Sequence, residues 1–110
     1  MIDERLVERA LDYIRDNAEA IARAKAERVY MDQFRKSKKA ILFRQAPQGS
    51  VADRESWAYS HAEYLEILEG LKVAVENEEK LRWEMLAAQL KVEVYRTQQA
   101  NARAVDRAHT

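Results

Sequence analysis

The sequence predicts an all-α fold, a long antiparallel helical hairpin with coiled-coil character. Three observations carry that expectation. The 110 residues contain only two glycines and one proline, too few for the turns of a sheet protein. The three breakers fall at Pro47, Gly49 and Gly70, leaving two arms composed of strong helix formers. The second arm repeats apolar residues at alternating steps of three and four, the spacing of a coiled-coil seam. The chain has no cysteine, with 19 basic and 19 acidic side chains, which excludes disulfide scaffolds and cysteine–zinc sites. One domain, residues 1–110, is the natural count.

The first arm reads as a helix over residues 3–45. Val7, Leu11, Ile14, Ala18 and Ile21 hold a heptad register, but the next member falls on Arg28. The apolar stripe resumes, shifted, as Ala22, Ala26, Tyr30, Phe34, Ser37 and Ile41. A break near residues 22–28 would turn the two helices into three. Residues 46–50 form the turn. Ser50, followed by Asp53, has the form of a capping box at the start of the second helix, residues 51–106.

Along that helix the seam runs Trp57, Ser60, Tyr64, Ile67, Leu71, Ala74, Glu78, Leu81, Met85, Ala88, Val92, Tyr95, Gln99 and Ala102. Between Leu81 and Tyr95 it is flanked by Leu86, and Trp83, Ala87, Leu90 and Val94 form a second stripe on the opposite side. A helix that is apolar all round needs cover on every side. A homo-oligomer, at least a dimer, is therefore expected, forming a helical bundle with Leu81, Trp83, Met85, Leu86, Leu90, Val94 and Tyr95 at its interface.

Charge is arranged in blocks. Residues 1–22 carry 3 basic and 6 acidic side chains; residues 23–44 carry 8 and 2; residues 45–80 carry 3 and 8; residues 81–110 carry 5 and 3. The basic block of the first arm should lie beside the acidic block of the second. At 100° per residue, Lys25, Arg28, Arg35, Lys36 and Lys39 also share one sector, opposite Tyr30, Phe34 and Ile41. That stripe, read as facing outward, is a candidate phosphate-contacting element. Arg96, Arg103 and Arg107, in a Gln- and Asn-rich stretch expected to project beyond the hairpin, form a second such group.

Little supports catalysis. His61 and His109 have no partner at metal-ligand spacing, no Gly-rich phosphate loop is possible, and neither a metal nor a cofactor is expected. His61 reads as a half-buried packing residue. No run approaches a membrane span, and the acidic N-terminus lacks a signal-peptide pattern, so a cytoplasmic protein without membrane or small-molecule partners is expected.

The stretches Ala24–Tyr30, Phe34–Ala40, Ser60–Tyr64, Glu79–Trp83 and Val92–Arg103 resemble a group of small all-helical proteins encoded by tailed bacteriophages, found in early or recombination gene clusters. The resemblance implies a phage origin, the cytoplasm of an infected bacterium and a place near DNA metabolism, and it carries over no functional residues. With the basic stripes, it gives the leading expectation: a non-enzymatic helical protein that assists DNA recombination or replication by contacting single-stranded DNA or a phage or host recombination protein. The alternatives are a module that inhibits or redirects a host nuclease or defence factor, and a structural or assembly protein.

Overall fold

In a computed structural model of the chain, which describes residues 1–109, three α-helices account for nearly all of the sequence: α1 (Glu4–Gln45), α2 (Val51–Ser60) and α3 (Ala62–His109). No strand occurs among the described residues. Asp3 opens α1, its carboxylate accepting the Leu6 amide at 2.9 Å. Ser50 opens α2 as expected, its hydroxyl accepting the Asp53 amide at 3.0 Å, which satisfies one of the four amides a helix start leaves unpaired.

Three helices do form, but the break lies in the second arm. α1 runs without interruption through residues 22–28, and the second arm is interrupted at His61, whose ψ of 139° is extended. The Ser60 hydroxyl donates to the Ser56 and Trp57 carbonyls at 2.7 and 3.3 Å. His61 then serves both helices. Its amide donates to the Ala58 carbonyl at 3.3 Å, and its Nδ1 accepts the Glu63 amide at 3.1 Å. Packing accounts for the position of the break. Ala58 and Tyr64 both bury themselves against Leu42, with Phe43 and Trp57 around them. Six residues apart on one continuous helix they would point about 120° away from each other; one extended residue between them brings both onto Leu42. His61 is half-buried, with its ring 5.0 Å from that of Trp57.

Two compact units are distinguished along the chain, and each is an antiparallel pairing of α1 with α3. In the unit of residues 22–79, Lys38 meets Glu63 and Arg28 meets Glu78. In the unit of residues 1–21 and 80–109, Tyr13 meets Glu84 and Tyr95 meets Glu4. The buried side chains are Val7, Ala10, Ala24, Leu42, Ala58, Tyr64, Ile67, Ala74 and Ala88. Five of these nine are alanines, as suits two helices whose backbones lie close together. On α3 every expected seam position from Tyr64 to Tyr95 is buried or half-buried, joined by Gly70 and Glu79 beside it.

On α1 they do not. The inward face keeps one heptad register throughout: Val7, Ala10, Ile14, Asn17, Ile21, Ala24, Arg28, Met31, Arg35, Lys38 and Leu42 are all buried or half-buried. Leu11 and Ala18 are exposed, and so is the whole expected continuation, Ala22, Ala26, Tyr30, Phe34, Ser37 and Ile41. The register does not shift at Arg28. Long cationic side chains occupy seam positions there: Arg28 and Lys38 hold their charged ends against Glu78 and Glu63 of the facing helix, and Arg35 against the Tyr64 hydroxyl and Asp32 of α1 itself.

Gly70 lies opposite Met31. A β-carbon on Gly70 would come within 2.6 Å of the Met31 methyl group, the free end of a flexible side chain that can rotate away. Because glycine inside a helix is less favourable than alanine by about 1 kcal/mol, Gly70→Ala is expected to raise stability by less than that amount in urea unfolding, whereas Gly70→Leu, too large for Met31 to accommodate, should lower it.

Candidate interaction surfaces

The cations assigned to an outward phosphate stripe divide into two sets. Arg28 donates through Nε and Nη2 to the two carboxylate oxygens of Glu78, whose side chain is only 14% exposed. Arg35 donates to the Tyr64 hydroxyl at 3.4 Å and to Asp32 at 2.9 Å. Lys39 lies 4.6 Å from the centre of the Tyr59 ring and 3.7 Å from Glu55. These three therefore face the hairpin partner or its flank, contrary to the outward reading. Lys25 and Lys36 are exposed.

The physical reason is the uninterrupted heptad of α1, which places residues 28 and 35 in the seam, where the facing arm meets Arg28 with Glu78 and Arg35 with the Tyr64 hydroxyl. Glu78, Glu63 and Glu55 belong to the acidic block, and Arg28, Lys38 and Lys39 to the basic one. Lys38, absent from the stripe, reaches Glu63 at 2.8 Å, and this holds the Glu63 carboxyl below its ordinary range. Arg35 does the same for Asp32. Arg54 closes the end of α1, donating to the Phe43 carbonyl at 2.9 Å with its guanidinium over the Phe43 ring.

In exchange, α1 presents aromatics outward. Tyr30 is 62% exposed, and its ring stacks on Phe34 with 5.9 Å between centres. Arg23, Tyr30, Ser37 and Arg44 recur every seven residues on this face, with Phe34 and Ile41 beside them.

The unit of residues 1–21 and 80–109 holds the expected oligomer interface. Leu81, Met85 and Tyr95 are half-buried in the α1–α3 seam. Trp83, Leu86, Leu90 and Val94 are exposed, Trp83 by 58% and Leu90 by 50%. Arg82 lies over one face of the Trp83 ring at 4.8 Å. The seven residues expected at an interface thus separate into three that bind α1 and four that face outward. A shallow groove beside them is lined by Leu6, Ala10, Tyr13, Glu84, Ala87 and Lys91. There Tyr13 donates to Glu84 at 2.6 Å.

Arg96, Arg103 and Arg107 are all exposed, and residues 101–109 are helical and exposed throughout. Arg96 and Arg103 border a groove with Tyr95 and Gln99. Among the described residues no group of three or more His, Cys, Asp or Glu side chains is placed to hold a metal ion, and no helix is long and apolar enough to cross a membrane.

Sequence reasoning missed Arg28, Arg35 and Lys38 as seam residues. The signal was present: steps of seven from Val7 give Ile14, Ile21, Arg28, Arg35 and Leu42, a register visible once cations are admitted to the seam.

Two expectations follow. Removing either partner leaves the other half-buried without its counter-charge, so Arg28→Ala and Glu78→Ala should each lower the melting temperature by about 5 °C, with the double variant losing less than the sum. The hydrogen bond to Glu84, followed by desolvation, pushes the Tyr13 hydroxyl from 10.0 up to about 12. A folded-state value above the unfolded one means this bond stabilises fully below pH 10.0 and is lost as pH rises through about 12. In an absorbance titration of the tyrosinates, Glu84→Gln should move one tyrosine back toward its ordinary range. The chain matches no protein-family model, and no curated protein and no solved structure matches it.

Proposed function

We propose that the chain is a non-enzymatic helical interaction module, one that packs its outward apolar side chains against other helices and first against a second copy of itself. The observation that carries this reading is the exposed stripe Trp83, Ala87, Leu90 and Val94, with Leu86 at its edge. A large apolar stripe rimmed by charge is the usual signature of a protein-binding face, and its spacing suits a helical partner. In a phage setting, which the sequence resemblance suggests, a further partner would be a recombination enzyme, or a host nuclease or defence factor.

Phosphate contact has less support as the primary activity. Arg28, Arg35 and Lys39 use their charge within the hairpin, and each compact unit is nearly neutral by itself. Residues 22–79 carry 10 basic and 10 acidic side chains, and the remaining residues carry 9 and 9. Of the expected phosphate contacts, Lys25, Lys36, Arg96, Arg103 and Arg107 remain exposed, two on α1 and three near the end of α3, which is fewer than the continuous stripe first expected on α1.

Light scattering decides the matter. A mass rising with concentration from 12.8 kDa toward twice that value is expected, and Leu90→Glu should hold the chain at the monomer mass with its helicity unchanged. Fluorescence anisotropy should show little binding to a single-stranded oligonucleotide at about 50 mM salt. A constant monomer mass together with tight, steeply salt-dependent oligonucleotide binding would replace this reading with phosphate contact.

A further inference from the structure

Helical geometry and charge say how a second copy would seat on α3. Trp83, Ala87, Leu90 and Val94 follow one another at steps of four, three and four, so at 100° per residue they lie within an arc of about 60°. That arc is turned well away from Leu81, Met85, Ala88 and Val92, which face α1. The stripe has the form of a coiled-coil seam two heptads long, and it is exposed.

Its flank carries Glu84 and Lys91, seven residues apart on the same side. Within one chain they are about 10 Å apart along the axis, too far to pair with each other. The two possible orientations of a second α3 treat them differently. In a parallel pairing, a flanking residue meets one five positions along in the other chain, which sets Glu79 against the partner's Glu84, twice. In an antiparallel pairing centred between Ala87 and Leu90, Trp83 lies over the partner's Val94 and Ala87 over the partner's Leu90. Glu84 then faces the partner's Lys91, and Lys91 the partner's Glu84. A two-fold axis makes every such contact occur twice. One orientation thus brings like charges together, and the other brings opposite charges.

We infer that two copies associate through an antiparallel, two-fold symmetric α3–α3 seam built on Trp83, Ala87, Leu90 and Val94 and bracketed by reciprocal Glu84–Lys91 ion pairs. The inference rests on the self-association reading above and specifies its surface and orientation. Glu84 can serve both partners, because Tyr13 engages its Oε2 and the second carboxylate oxygen is left to accept. The same geometry places Lys80 opposite the partner's Thr97.

The chain has no cysteine, so introduced cysteines report orientation without background. Lys80→Cys and Thr97→Cys, both at exposed positions, should each give little disulfide-linked dimer alone under mild oxidation, and a prominent linked dimer when mixed. Lys91→Glu alone should weaken association roughly tenfold by sedimentation, and combining it with Glu84→Lys should restore it. If Lys80→Cys links to itself, or the wild-type mass is dimeric but the mixed pair fails to link, this seam is wrong while self-association stands. A monomer at every concentration would overturn both.

Discussion

Two helices can shield only one stripe of each other, and everything else in this molecule follows from that limit. With no third layer, each unit buries a thin line of side chains rather than a core in depth, and alanines at Ala10, Ala24, Ala74 and Ala88 let the backbones come close enough for that line to seal. A narrow seam is also never far from water. Arg28, Arg35 and Lys38 can therefore occupy seam positions without the full desolvation cost of a buried charge, provided an acid or hydroxyl meets each one. Glu78, Tyr64 and Glu63 do so. These pairs discriminate between registers as well as holding one. Sliding α3 by one heptad would bring Leu71 or Met85 to Arg28 in place of Glu78, and Gly70 or Ser56 to Lys38 in place of Glu63.

The same limit determines what remains outside. α3 has apolar side chains on two faces between Leu81 and Tyr95, and α1 can cover only one of them. The uncovered face holds Trp83, Leu90 and Val94, and it lies in the same stretch of helix as the opposite charges of Glu84 and Lys91. Burying such a stripe against a like helix is the hydrophobic effect completed between chains instead of within one. On α1 the inward turn of the cations has the reverse effect, sending Tyr30 and Phe34 to the surface.

Those details mark how far the sequence could be read. The α3 seam was legible because nearly every inward position from Tyr64 to Tyr95 is apolar, Glu78 and the half-buried Glu79 being the charged exceptions, so hydrophobicity and inward orientation coincide. The turn at Pro47 and Gly49 and the Ser50 cap were legible because each is a local property of a few residues. The α1 register was misread because apolar residues were taken as inward, and Tyr30, Phe34 and Ile41 drew the stripe off a seam that Arg28, Arg35 and Lys38 occupy. The break at His61 was not legible at all. Its local chemistry, a serine and a histidine in good helix-forming surroundings, is unremarkable, and it depends on Ala58 and Tyr64 both reaching Leu42 on another helix. The outward stripe of Trp83, Leu90 and Val94 was legible from its spacing opposite the seam, but Leu81, Met85 and Tyr95 could not be separated from an interface without knowing which face α1 takes.

The proposed cover for the apolar face that α1 leaves bare is a second α3. With Trp57 replaced by phenylalanine, Trp83 becomes the sole indole and reports that face directly. Its emission should lie toward the blue at high protein concentration and shift to the red on dilution as the pair separates. Red emission that stays constant across the whole concentration range would mean that Trp83 remains in water and that no second α3 covers it.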